Sequence, residues 1–301
     1  MRRGVLIYNP AAGGMRFEPR LAGIIERART AGIELDAQPT TAPGSATQIV
    51  RRALASRPDL IVAAGGDGTM GEVAAGLVGS PIPLAMLPVG TANVLAREYG
   101  VGTTLRDAER ILSSHKTRPL TAWRAGESIF FMWLGVGLDA RVMKHTIPAL
   151  KRTFGRVGIA WTALIESLRY DFPAIAVEGT DARGNPFSRE ATFVVASNIR
   201  RYGGEPQLSP MVDPESDLLD LTLFTGRSTA ALARFFLDIA LGRAKAGKLA
   251  DAEQFHIRTL TARSLRGAEV DFQLDGAVAG ITPISVPAAL GHVRIVVPES
   301  A

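Results

Sequence analysis

The chain contains no cysteine. That excludes disulfide frameworks, cysteine nucleophiles and thiolate-held zinc, and it suits a reducing cytoplasm. Long apolar runs are missing too. No stretch approaches the ~18 uninterrupted apolar residues of a membrane-spanning helix, because Arg, Asp or Gly breaks the longest candidates. Met1-Arg2-Arg3 leads into an apolar run that soon meets Asn9 and Pro10, too short for a signal-peptide core. The expectation is a soluble, cytoplasmic protein. Histidine is scarce: His115, His145, His256 and His292 stand at no metal-motif spacing, and neither HExxH nor GxSxG occurs. Zinc chemistry and hydrolase triads are therefore set aside. No basic stripe with interleaved aromatics occurs either, which argues against nucleic acid as a partner.

What is present reads as a folded, core-forming chain. Its 301 residues are 47% hydrophobic and 21% charged, which leaves length for one large domain or two ordinary ones. The net charge of +5 suits an anionic ligand or a lipid surface, and equally plain solubility.

The first third alternates strand and helix patterns. "GVLIYNP" reads as a strand, "RLAGIIERARTAG" as a helix stopped by Gly32, and "IELDAQPTT" as a second strand. "SATQIVRRALAS" reads as a helix with Ser45 as its cap. "LIVAAG" and "IPLAMLPVG" are near-continuous apolar runs, as expected of strands covered on both faces. This rhythm predicts a doubly wound, parallel α/β domain over 1–120. Beyond it, strand-like runs dominate: "SIFFMWLGVGL", "PAIAVEG", "ATFVVAS", "LLDLTLF", "FHIRTLTA", "EVDFQL" and "HVRIVV". Helical stretches interrupt them at Arg141–Tyr170 and Thr229–Lys248. They predict a second, largely antiparallel β domain over 121–301, the last residues being open to a return to the first domain.

"GGDGT" follows one of the buried strands and opens a helix. Gly65, Gly66 and Gly68 let backbone N–H groups approach phosphate oxygens, and the helix start adds a partial positive charge. A carboxylate repels phosphate, so Asp67 is better suited to recruit Mg²⁺ or to hold a ribose or a loop. Thr69 suits a cap or a phosphate contact. A tight strand-to-helix turn is the plain alternative. Two further small-residue loops follow strands: "IYNPAAGG", with Asn9, Gly13 and Gly14, and "PVGTANVLARE", with Gly90, Thr91 and Asn93. Three such loops at strand ends of one α/β domain make one crevice. "GRAKAGKL" has Gly242 and Gly247-Lys248 at P-loop spacing, but Leu249 lacks the hydroxyl and a helix precedes it.

"NPAAGG", "GGDGTMGEV" and "LPVGTANVLARE" resemble the diacylglycerol kinase catalytic family, which includes bacterial lipid kinases and sphingosine kinases. "FMWLGVGLDARVM", "SNIRRYGGEPQLSPMVDPESDLLDLTLF" and "FQLDGAVAG" extend the resemblance along nearly the whole chain. It implies an N-terminal α/β nucleotide domain and a C-terminal β-sandwich, with the active site between them. It implies ATP at Asn9, Gly65, Gly66, Asp67, Gly68, Thr69 and Thr91, with Gly90 and Asn93 in the same loop set. Mg²⁺ would be placed at Asp67, with Asp217 as a second metal position. Asp275 would orient or deprotonate a lipid hydroxyl, diacylglycerol being the first choice. An Asp-Gly hairpin turn is the plain reading of Asp275-Gly276.

Three positions depart from the family pattern. Ala277 stands where a Glu is common, Val94 where an Asp is common, and Ser216-Asp217 where Asp-Gly is common. They keep a non-catalytic lipid- or nucleotide-binding relative open, beside a soluble kinase acting on NAD. The basic and aromatic segment Arg141–Tyr170, with Lys144, Lys151, Arg152, Arg156, Ile147, Leu150, Phe154, Ile159 and Trp161, suits transient contact with a membrane carrying the lipid substrate. A solvated helix packed on the sandwich is the alternative, with Pro148 breaking the segment. A homodimer is left open.

Overall fold

The computed structural model describes residues 1–12, 18–146, 161–203 and 206–299. Gly13, Gly14 and Pro148 lie outside them, as do Ile147, Leu150, Lys151, Arg152, Phe154, Arg156 and Ile159. The chain divides into two units, Met1–Ala122 with Gly291–Ala301, and Trp123–Leu290.

The first unit runs β1 (Arg2–Tyr8), α1 (Glu18–Thr30), β2 (Ile33–Pro39), α2 (Ser45–Ala53), β3 (Leu60–Gly65), α3 (Asp67–Leu77), β4 (Leu84–Pro88), α4 (Val94–Glu98), α5 (Leu105–Ser113) and β5 (Thr117–Ala125). The last strand, β16 (Ala289–Val296), enters a seven-stranded sheet of order β2-β1-β3-β4-β16-β5-β6, where β6 is Ser128–Phe130. Strands β1, β2, β3, β4 and β16 pair in parallel. Every residue of β3 and of β4 is buried, which is what an apolar run without alternation requires. From β1 the chain goes to β2 on one side and then to β3 on the other. The crevice at the carboxyl ends of β1 and β3 is thus the point where ligands bind in open α/β sheets.

One detail differs from the reading of the sequence. Ser45 is the first residue of α2, not its cap; Gly44 precedes it in the left-handed region. The Ser45 hydroxyl accepts from the N–H groups of Thr41 and Ala42 and donates to the Ala42 carbonyl, so it ties the turn upstream. The helix start is served from outside: Glu72 of α3 accepts the Ala46 N–H at 3.2 Å and its carbonyl accepts the Thr47 hydroxyl at 2.7 Å.

The second unit runs β6 (Ser128–Phe130), β7 (Trp133–Val136), α6 (Leu138–His145), a helical stretch α7 (161–168), β8 (Ile175–Asp181), β9 (Pro186–Ala191), β10 (Phe193–Ser197), β11 (Leu219–Phe224), α8 (Thr229–Ala240), β12 (Ala252–Ser264), β13 (Asp271–Leu274), β14 (Ala277–Ile281) and β15 (Ile284–Val286). Its sheet has the order β14-β13-β7-β10-β11-β12-β8-β9, with β15 on β12. Strand β12 pairs β11 up to Ile257 and β8 from there on, with a bulge between Ile257 and Thr259. Such a change of partner turns the corner of a β-sandwich. Trp123, Phe130, Leu134, Val194, Leu221 and Ile257 are among the buried side chains of its core.

The run "SIFFMWLGVGL" is two strands, not one. Phe131 and Met132 break it because their N–H groups turn to the carboxylate of Asp275, at 2.8 Å each. Helix α8 ends at Ala240, earlier than Lys248, because Gly242 and Gly247 take positive φ on either side of a 3-10 turn at Arg243–Ala246.

Candidate active site

The three loops at the strand ends of the first unit are joined by backbone and carboxylate hydrogen bonds. Asn9 N–H donates to the Ala64 carbonyl at 3.0 Å, and Val89 N–H donates to the Gly65 carbonyl at 3.0 Å. Asp67 Oδ1 accepts the Leu95 N–H at 3.1 Å, so its carboxylate caps α4 from across the crevice. These bonds bring Asn9, Gly65, Gly66, Asp67, Gly90 and Asn93 together.

Glycine is required here by close approach. A Cβ on Gly90 would lie 2.5 Å from the Gly66 Cα, and a Cβ on Gly65 would lie 2.5 Å from the Thr69 Cβ. Helix α3 begins directly after Gly66, which is extended and offers no side-chain cap. The first-turn N–H groups of an α-helix lack intrahelical acceptors, so the start of α3 is a place for an anion. Thr69 is not the cap; it is the third residue of α3 and is buried beside Gly65.

Asn93 serves the loop itself. It is buried, takes φ 49°, accepts the Gly90 N–H at 3.0 Å and donates to the Gly90 carbonyl at 2.8 Å. Thr91 and Gly68 are exposed. Val94, where relatives often carry a carboxylate, is buried. A cavity of about 260 Å³ lies at the carboxyl end of β4, between Ile24, Leu87, Val89, Thr103, Thr104 and Ala108.

The second unit holds the other candidate carboxylates. Asp275 and Gly276 form the two-residue turn between β13 and β14, with φ 50° and 86°. Two left-handed residues suit a type I′ hairpin. The Asp275 carboxylate does more than a turn needs: it accepts the N–H groups of Phe131 and Met132 at 2.8 Å and of Trp133 at 3.1 Å. Ala277 is exposed just beyond it.

Three side chains that lie within the quoted motifs, but to which no role was assigned, meet beneath this turn. Asp139, the Asp of "GVGLDA", accepts the Tyr202 hydroxyl at 2.8 Å and the Gln273 Nε2 at 2.6 Å. Gln273 Oε1 accepts the Gly276 N–H at 2.6 Å. Burial pushes the Asp139 carboxyl up, against the pull of these two donors, and burial next to Asp139 pushes the Tyr202 phenol well up. Gly135 makes the room, since a Cβ there would lie 2.0 Å from Asp139 Oδ2. A buried Gln in the strand pattern "EVDFQL" was the signal in the sequence.

Asp217 is exposed in the bend ahead of β11 and is not one of the residues that these bonds join. Asp220, three residues on, is buried across from His256; burial lifts its carboxyl to about 6, and the His256 charge opposes the rise. Among the described residues no group of three or more His, Cys, Asp or Glu could hold a metal ion. A cage of protein ligands is therefore not what the described residues build. Mg²⁺ does not ask for one: it commonly binds one or two carboxylates, substrate phosphates and water. Asp67 at the mouth of the β3–α3 loop fits that mode.

An α/β unit with such loops, followed by an antiparallel sandwich, defines a class, and comparison with known proteins supplies it. Residues 3–125 match the diacylglycerol kinase catalytic domain and residues 133–297 match the YegS C-terminal NAD kinase beta sandwich-like domain. The class is that of the lipid kinases. The chain belongs to the diacylglycerol kinase catalytic family. It is 25% identical to a protein named "Diacylglycerol kinase" of Bacillus subtilis (strain 168), over 99% of this chain and 97% of that one. It is 30% identical to a protein named "Probable lipid kinase YegS-like" of Klebsiella pneumoniae (strain 342), over 69% of this chain and 70% of that one. In fold it is similar to a crystal structure of a diacylglycerol kinase from Bacillus anthracis str. Sterne, with a TM-score of 0.71 and 22% identity over 99% and 98% of the two chains. Among the described residues no helix is long and apolar enough to cross a membrane.

Proposed function

We propose that this chain transfers the γ-phosphate of ATP to a lipid hydroxyl, with diacylglycerol as the first acceptor to test. The observation that carries the reading is the uncapped, glycine-lined start of α3 at the crevice between β1 and β3. The backbone of Gly65, Gly66 and Gly68 and the start of α3 hold the phosphates. Asn9, Gly90, Thr91 and Asn93 shape the adjoining wall, and Thr69 packs behind Gly65. Asp67 holds Mg²⁺ with the nucleotide, and the ion, when bound, neutralises charge on the transferring group. Asp275 orients the lipid hydroxyl and takes its proton. Asp217 is kept as a second metal position on the resemblance alone.

A lipid acceptor requires contact with a bilayer, transient for a cytoplasmic chain. Support comes from α7, where Trp161, Leu164 and Leu168 are exposed at 59%, 54% and 65%. Their i, i+3, i+7 spacing puts them on one face. Arg169 and Arg141, the latter bonded to Glu166 at 2.7 Å, line a cavity of about 470 Å³ beside Trp161. An apolar stripe next to cationic groups suits an anionic lipid surface.

The test is transfer of labelled γ-phosphate from ATP with Mg²⁺ to mixed micelles holding a panel of lipid hydroxyls, with NAD in a parallel tube. Labelled lipid is the expected result, and it names the acceptor. Label on NAD alone moves the chain to a soluble substrate. ATP binding without transfer gives weight to Ala277 and Val94 and makes the chain a binding relative. Association state on a sizing column with light scattering answers the question of a homodimer.

A further inference from the structure

The closed circuit of contacts under the Asp275 turn has a purpose that a hairpin alone does not require. Asp275 N–H donates to the Trp133 carbonyl at 3.0 Å, and its carboxylate accepts the Trp133 N–H. The Trp133 ring stands edge-on to Tyr202, with centroids 5.8 Å apart. Tyr202 donates to Asp139, Gln273 donates to Asp139, and Gln273 accepts from Gly276. The circuit thus leaves Asp275 through strand β7 and returns to it through Gly276.

We propose that Asp139, Gln273 and Tyr202 are positioning residues for Asp275, a relay that fixes the direction of its carboxylate through the Gly276 amide; this rests on reading Asp275 as the group that orients the acceptor hydroxyl. The polarity of the relay admits one arrangement. The Gly276 N–H can only donate, so the Gln273 amide must present its Oε1 to the turn. That leaves its NH₂ facing Asp139, whose oxygen accepts it. A flipped amide sets carbonyl against carboxylate at one end and NH₂ against N–H at the other. Gln273 is fully buried, so water cannot repair the mismatch. A plain two-residue turn is held by its strands; here the adjacent carboxylate is tied from one side by Phe131–Trp133 and from the other through the relay. Fixing a reacting group within a fraction of an ångström is what such support supplies in catalysis.

The test reverses the polarity. Gln273→Leu removes both bonds and is expected to lower kcat by up to roughly 100-fold, with KM for ATP held within about twofold. Gln273→Glu sets a second carboxylate against Asp139 and is expected to lose kcat likewise. Asp139→Asn combined with Gln273→Glu restores every bond, with the introduced amide at position 139 donating to the introduced carboxylate at 273 and Gly276 still satisfied. That double variant is expected to recover most of kcat. Amide exchange at Gly276 is followed in all of them, expected to quicken in the single variants and to slow again in the double one. Wild-type kcat in Gln273→Leu, or a folded double variant that stays as slow as Gln273→Glu, overturns the relay. If the wild-type chain phosphorylates no lipid, the reading of Asp275 fails separately, and Gly276 exchange alone decides the relay: unchanged protection in Gln273→Leu overturns it.

Discussion

Helices α3 and α5 belong to the same unit and begin in opposite ways. Helix α5 starts with a full capping box: Thr104 accepts the Asp107 N–H at 3.1 Å and the Asp107 carboxylate accepts the Thr104 N–H at 2.9 Å. Helix α3 starts after a glycine with no side-chain cap, and its first acidic residue reaches away to Leu95. A capped start is a finished piece of structure, worth about 1 kcal/mol. A start without a side-chain cap takes its acceptor from elsewhere in the fold, as α2 does from Glu72, or from a bound anion that offsets the cost. The difference separates a helix closed by its own cap from one whose start, on the proposed function, receives a phosphate.

Variants of the two starts should separate in the same way. Asp67→Ala is expected to lower kcat by roughly 1,000-fold while the chain stays folded by circular dichroism; wild-type turnover removes Asp67 from the mechanism. Gly90→Ala pushes on the Gly66 backbone and is expected to weaken ATP binding by at least about tenfold, read by calorimetry. Unchanged affinity means that the two loops have slack. Thr104→Ala is expected to cost about 1 kcal/mol of stability and to leave kcat and KM alone, so altered kinetics erase the contrast. The smallest effect is on pH. The Thr104 hydroxyl and N–H hold the Asp107 carboxyl below its usual range. A carboxyl lowered on folding stabilises above its unfolded value and loses that contribution as pH falls through the folded one. The stability gap between wild type and Thr104→Ala should therefore narrow on acidification below the ordinary Asp value of about 3.9, as followed by denaturant titration.

Much of the first unit is legible because a parallel sheet writes itself into the chain as uninterrupted apolar runs, as in Leu60–Gly65 and Leu84–Pro88. The glycine loops are legible as breaks after those runs. Adjacency is not: nothing local says that β1 lies beside β3 or that Asp67 reaches Leu95, because strand order is decided by packing between distant segments. Ser45 looked like a cap because residue type and position matched one. Its hydroxyl is used by the turn before it, and Glu72, 26 residues on from Ala46, takes over the helix start. Asp139, Tyr202 and Gln273 stand inside the quoted motifs, but their contact escaped for the same reason as the strand order. Each is an ordinary polar residue in its own stretch, and only the folded sandwich makes them one circuit.

The place of β16 between β4 and β5 has a consequence for how the chain is made. On a ribosome the first unit emerges almost entire, yet with a slot in its sheet. Two strands wait with open edges while the whole second unit is synthesised, and exposed edges invite wrong partners. The closing strand comes at the end, when Val297 N–H bonds Lys116 and the Ser114 hydroxyl bonds Val297. Without residues 289–296 both β4 and β5 would present an open edge, and the pairing of β16 is what makes that sheet continuous.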